Sequence, residues 1–151
     1  MQQASGRKFS LTSGYVKIKS TTRKEDVYMK MAHTCVRVKD LEASLDFYQR
    51  AFGFEESRRR DFPENKFTLV YLTLPGDDYE LELTYNYDHG AYDLGDGYGH
   101  IAIAVADLEA LHEEQKAAGF EMTDLKGLPG TAPSYYFVMD PDGYKIEVIR
   151  A

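Results

Sequence analysis

The chain repeats itself, and this limits the folds open to it more than any other feature. The run HTCVRVKDLEA from His33 to Ala43 aligns with HIAIAVADLEA from His100 to Ala110. At nearly the same offset Gly53-Phe54-Glu55 aligns with Gly119-Phe120-Glu121, and Glu82 aligns with Glu147. Each unit therefore opens on a histidine and ends near a glutamate. Two copies of one supersecondary unit stack to bury a common core, and a length of 151 residues suits two small halves sharing one.

Local signals give each unit the same order of elements. Residues 33–38 and 100–105 alternate and are rich in Val and Ile, as strands are. Asp40 and Asp107 stand where an N-cap accepts from orphan helix N–H groups. Leu41, Leu45, Tyr48 and Phe52 follow a helical period, and Leu108, Leu111, Gln115 and Ala118 follow it more weakly. Gly53 and Gly119 supply the left-handed residue that stops each helix. Three more strands are predicted in each unit: 54–60, 66–73 and 79–86, then 120–126, 134–139 and 144–150. Pro75-Gly76-Asp77-Asp78 and Asp140-Pro141-Asp142-Gly143 supply turns. The expectation is an α+β chain of two βαβββ modules, about 31–88 and 98–151, joined by the glycine-rich link from Asp88 to Gly99.

Residues 1–30 differ from this body. They hold seven Lys/Arg against two Asp/Glu, whereas residues 31–151 hold 11 against 23. No apolar period runs through them, so they read as a poorly structured basic extension. Three readings are open: a non-native upstream extension, which is favoured, an organelle address, or a flexible arm. The net charge of −7 argues against a nucleic-acid partner. No apolar run is long enough for a membrane span. The lone Cys35 excludes a disulfide framework and points to a reducing, cytoplasmic compartment.

Strand alternation assigns the side chains to faces. His33, Cys35 and Arg37 share one face, opposite Val36 and Val38. His100 shares one with Ala102 and Ala104; Glu80, Glu82 and Thr84 share one, as do Lys145, Glu147 and Ile149. In every case the aliphatic face can pack on a helix, leaving the His or Glu on the other. Two imidazoles and two carboxylates make an N2O2 set that suits Ni, Co, Fe, Mn or Zn. His89 and His112 read as solvated, the latter on the exposed side of the second helix. Arg58-Arg59-Arg60 reads as a solvated strand end.

Several local runs carry a resemblance: His33-Thr34, Asp46-Phe47-Tyr48, Glu82-Leu83-Thr84-Tyr85-Asn86, Tyr98-Gly99-His100-Ile101-Ala102, and Asp140 through Glu147. On these, residues 31–151 resemble glyoxalase I (lactoylglutathione lyase) of the vicinal oxygen chelate superfamily. The resemblance implies mixed curved sheets that form a metal-binding cavity. It implies His33, Glu82, His100 and Glu147 as metal ligands, with Glu147 the main catalytic base and Glu82 its counterpart. Arg37 and Asn86 match positions that bind the glutathione part of the substrate. The implied reaction converts the hemithioacetal of methylglyoxal and glutathione to S-lactoylglutathione, which detoxifies methylglyoxal. One divalent ion per site is implied, Ni or Co in preference to Zn, in a homodimer whose site lies between chains. Pairing of modules within one chain is also open.

One feature departs from the pattern. Some glyoxalases carry a basic residue in the loop before the penultimate strand; here Gly127 to Ser134 has none, and Lys126 is near it with no defined register. Two other readings stand beside the isomerase. One is a metal-dependent thiol transferase or dioxygenase on the same fold, which holds its ion with two His and one Glu. The other is a non-catalytic drug-binding dimer, which lacks the ligand set.

Overall fold

The computed structural model describes residues 11–12, 14–18 and 27–151. The chain divides between His33 and Thr34 into two compact units. In the first, β1 (Leu11–Thr12), β2 (Tyr15–Ile18) and β3 (Val27–Met29) form an antiparallel sheet in that order. Regular structure therefore begins earlier than the sequence predicts. The runs Tyr15-Val16-Lys17-Ile18 and Val27-Tyr28-Met29 are built from β-branched and aromatic residues, but are too short to show a period.

The second unit follows the predicted repeat closely. After β4 (His33–Val38) come α1 (Leu41–Phe52), β5 (Glu55–Phe62), β6 (Phe67–Thr73) and β7 (Glu80–Asn86). Then come β8 (Ile101–Val105), α2 (Leu108–Ala117), β9 (Tyr135–Met139) and β10 (Lys145–Arg150). The strands make two sheets, β4-β7-β6-β5 and β8-β10-β9; the second is mixed, β10 lying parallel to β8 and antiparallel to β9. Each helix starts on the predicted cap. Asp40 accepts from the Ala43 N–H at 3.1 Å and Asp107 from the Ala110 N–H at 3.0 Å. Gly53 and Gly119 sit at φ 74° and 83°, where a side chain would be strained.

The exception is 120–126, which forms no strand. Met122 pairs with Val138 and Lys126 with Tyr135, so three residues between these bridges oppose two and the ladder bulges. Within the bulge the Phe137 N–H donates to the Thr123 hydroxyl (3.0 Å) instead of to a backbone carbonyl. The C-terminal module thus has three regular strands and one irregular edge.

One core serves both modules. Val36, Val38, Phe47, Tyr48 and Leu83 from the first cluster with Leu108, Tyr136, Ile146 and Val148 from the second. Each fully buried aliphatic side chain contributes about 1.5–3 kcal/mol. Polar ties then fix the register between halves. Buried Tyr48 donates its hydroxyl to Asp140 (2.9 Å), which also accepts from the backbone N–H groups of Asp142 and Tyr144. The Lys39 N–H donates to Asp142 (3.0 Å), and the Tyr144 hydroxyl donates to the Arg37 carbonyl (3.1 Å). Gln115, 1% exposed, donates to the Ala51 carbonyl and accepts from the Tyr136 hydroxyl. The Asp140–Gly143 turn is therefore a clasp on the first module as well as a hairpin turn. Burial pushes the Asp140 carboxyl up, against the hydrogen bonds that hold it down. Tyr48→Phe removes one donor from this carboxylate and is expected to cost about 1–3 kcal/mol, read as a lower urea midpoint with an unchanged slope.

His112 corrects the sequence reading. It is buried, not solvated: its ring packs edge-on against Tyr136, and Nε2 lies 3.2 Å from the Thr123 carbonyl oxygen. A weakly apolar helix buries His112 along with Leu108 and Gln115, and hydropathy does not reveal the histidine's place. Among the described residues, no helix is long and apolar enough to cross a membrane.

Candidate metal centre

The helices cover one face of each sheet, and the candidate donors lie on the other. His100 immediately precedes β8, and Glu147 sits in β10 beside Ala102 and opposite Phe137. Parallel pairing brings the two ends together: His100 Nε2 lies 3.1 Å from a Glu147 carboxylate oxygen. Glu147 is partly shielded, with 19% of its side chain exposed, while His100 keeps 44%. Ala102 and Ala104 are exposed on the same face, which leaves the approach to the pair open.

Glu82 is the more enclosed carboxylate, at 8% exposure. It sits in β7 directly opposite Tyr71 of β6. The Thr84 hydroxyl donates to its Oε1 at 2.9 Å. The Cys35 sulfur lies 3.2 Å from that Thr84 oxygen, in line with the predicted face. His33 opens β4 as an exposed residue, and Arg37 is exposed two steps on from Cys35. Asn86, at the end of β7, donates to the Tyr92 hydroxyl at 2.8 Å.

Among the described residues, no three His, Cys, Asp or Glu side chains converge on a point that could hold an ion. Of the four predicted ligands, His100 and Glu147 stand together as a pair. A cavity of about 250 Å³ in the second unit, lined by Thr34, Tyr48, Tyr79, Ile103 and Ala104 among others, contains none of the four. The donor chemistry nevertheless fits a first-row divalent ion. An imidazole nitrogen and a carboxylate oxygen are adjacent on an open face, and a second carboxylate accepts from the Thr84 hydroxyl.

The structure also places a residue whose register the sequence leaves open. Lys126 Nζ lies 5.9 Å from the centre of the Phe137 ring, and that ring packs against His100 with centroids 5.7 Å apart. The bridge between Lys126 and Tyr135 sets this position. The bulge hides it from strand periodicity. The arginine run is partly paired: Arg58 forks onto Glu80 and Arg59 onto Glu56.

The two-module fold with an open His/Glu face defines a class of chelating proteins, and the comparisons agree. Residues 30–148 match the Glyoxalase/Bleomycin resistance protein/Dioxygenase superfamily, and the chain belongs to it. It is 44% identical over 126 residues to the lactoylglutathione lyase of Neisseria meningitidis, covering 81% of this chain and 91% of that one. The fold matches the trypanothione-dependent glyoxalase I of Leishmania major with TM-score 0.70 and 37% identity, over 81% of this chain and 86% of that one. It matches glyoxalase I of Zea mays with TM-score 0.74 and 38% identity, over 80% of this chain but only 44% of that longer one.

Proposed function

We propose that the chain is a glyoxalase I: a metal-dependent lactoylglutathione lyase that isomerises the hemithioacetal of methylglyoxal and glutathione to S-lactoylglutathione. The observation that carries this is the 44% identity to a lactoylglutathione lyase across nearly that protein's whole length. In support, all four ligand candidates fall inside the residues matched to the superfamily. His33, Glu82, His100 and Glu147 hold one divalent ion, Ni or Co in preference to Zn. When bound, the ion supplies Lewis-acid stabilisation of the negative charge that develops on the substrate oxygens.

The residues of the chain do the rest. Glu147 takes the proton from the carbon that bears sulfur and returns it to the neighbouring carbon, the former ketone. A proton moves between the two oxygens in the same sense, so the product is an isomer and no co-reactant is consumed. Glu82 is the counterpart of Glu147 on the other side of the substrate. Arg37 and Asn86 bind the thiol moiety, and the Lys126 ammonium supplies a cation for one of its carboxylates. The test is thioester formation by the metal-loaded protein, with hemithioacetals of glutathione and of trypanothione compared. Turnover of neither, with thiol addition to an epoxide or ring cleavage instead, would move the chain to another branch of its superfamily.

The open donor faces favour a homodimer, with His33 and Glu82 of one chain meeting His100 and Glu147 of the other, and the lone Cys35 favours the reducing cytoplasm. Sedimentation at assay concentration should give a dimer; a fully active monomer would mean that one chain completes the site. Residues 1–30 lie outside the repeat and include none of the four proposed ligands. A chain starting at Met31 should match full-length kinetics, and a large loss with folding intact would assign the leader a part in the site.

A further inference from the structure

Asn86 is held by the link that follows it. It ends β7 on the face that carries Glu82 and Thr84. Four strand residues put it about 13 Å from Glu82 along that face, too far to touch carbons reacting at an ion held there. Its neighbour Tyr87 anchors the turn. The Tyr87 N–H donates to the Lys66 carbonyl (2.8 Å), and the Tyr87 hydroxyl donates to that of Thr68 (2.8 Å), whose own proton goes to Asp61 (2.7 Å). Asp88 takes the left-handed conformation at φ 60°, and the His89 N–H returns to the Asn86 carbonyl at 3.4 Å. The link then lays Tyr92 beside Asn86, whose amide nitrogen donates to the Tyr92 hydroxyl oxygen at 2.8 Å. The Tyr92 ring lies flat on the His89 imidazole, with centroids 4.1 Å apart and planes 10° from parallel. His89 Nδ1 in turn donates to the Gly90 carbonyl at 2.8 Å.

Two groups are left without a partner among the described residues: Asn86 Oδ1, an acceptor, and the proton of the Tyr92 hydroxyl, a donor. An acceptor and a donor held side by side match the ammonium and the carboxylate of an α-amino acid. We propose that Asn86 and Tyr92 form one receptor for the α-amino acid end of a γ-glutamyl thiol, Asn86 Oδ1 accepting from its ammonium and the Tyr92 hydroxyl donating to its carboxylate. The receptor rests on the reading of Asn86 as a thiol-binding residue. It adds Tyr92 as a specificity-determining residue and His89 as the positioning residue that holds the Tyr92 ring. It selects thiols that keep this end, glutathione and trypanothione alike, over thiols that lack it. No local pattern in the sequence announces it, because the two partners stand six residues apart across a glycine-rich link with no strand or helical period.

Tyr92→Phe keeps the ring and its stack and deletes only the hydroxyl. Binding to the purified full-length protein is measured by calorimetry with two probes, S-hexylglutathione and S-hexyl-N-acetylcysteinylglycine; in the second, acetyl replaces the γ-glutamyl group. Wild type should prefer S-hexylglutathione by about tenfold or more, as hydrogen bonds to charged groups allow. Tyr92→Phe should bind S-hexylglutathione about tenfold more weakly and the acetylated probe as wild type does. In turnover, KM for the glutathione hemithioacetal should rise while kcat stays near wild type, as for a contact made equally in ground and transition states. His89→Ala, at an exposed position, should weaken S-hexylglutathione in the same direction by a smaller factor, and it carries the test if Tyr92→Phe unfolds. Unchanged affinity for S-hexylglutathione in the variant that carries the test, equal losses for both probes, or a wild type that binds both alike would overturn the receptor. If Asn86→Ala binds S-hexylglutathione like wild type, the thiol-binding reading fails and the receptor falls with it. If Asn86→Ala weakens binding and Tyr92→Phe does not, only the part given to Tyr92 fails.

Discussion

Glu147→Gln should fold normally, keep part of its ion affinity, and lose about 10²- to 10⁴-fold in turnover. The amide has nearly the shape of the carboxylate, and its side-chain oxygen can still meet His100, which contacts Glu147 at 3.1 Å. The change therefore tests chemistry, not packing. What it removes is a group that can carry a proton from one carbon to the next. Glu147 suits that task structurally. It is partly shielded, and among the described residues only His100 contacts its carboxylate. Steady-state kinetics of the metal-loaded variant against wild type decide the matter; retention of more than about a tenth of the wild-type rate would reject the role.

Removing the metal should abolish turnover, and the ion restored should decide how much returns. Ni or Co is expected to restore most of the rate and Zn little. Intrinsic affinity does not separate them cleanly, because Ni and Zn both bind nitrogen and oxygen donors well. Coordination number does. Two imidazoles, two carboxylates and the substrate oxygens call for a six-coordinate ion, and Zn commonly settles for four or five ligands. The experiment strips the protein with a chelator, restores each ion separately, and measures hemithioacetal turnover alongside bound metal. Highest activity with Zn would overturn the preference but leave the ligand assignment standing.

The features legible in the sequence are those with local causes. Caps at Asp40 and Asp107, left-handed stops at Gly53 and Gly119, and face alternation in β4, β7, β8 and β10 each depend on a few neighbouring residues. They suffice to put His100 and Glu147 on one open face. The features that escape it are set by partners distant in the chain. The irregular edge at 120–126 arises from an extra residue opposite β9, and the position of Lys126 follows from that bulge. His112 occupies a core position because the Tyr136 ring and the Thr123 carbonyl receive it. A helical wheel cannot anticipate such acceptors. The assembly of four donors around one ion is likewise not a local property of any strand.

The polar ties of the core have a consequence for how the two halves are matched. At the repeat spacing, Tyr48 of α1 corresponds to Gln115 of α2. Each reaches across to the opposite module, yet one donates a phenol proton to Asp140 while the other uses an amide to bridge the Ala51 carbonyl and Tyr136. The two halves therefore share an order of elements but not a pattern of hydrogen bonds. A protein built from two copies of the first half would lack Asp140, the acceptor of the Tyr48 hydroxyl. The halves are complementary in these ties, each offering the other a partner that it does not itself contain.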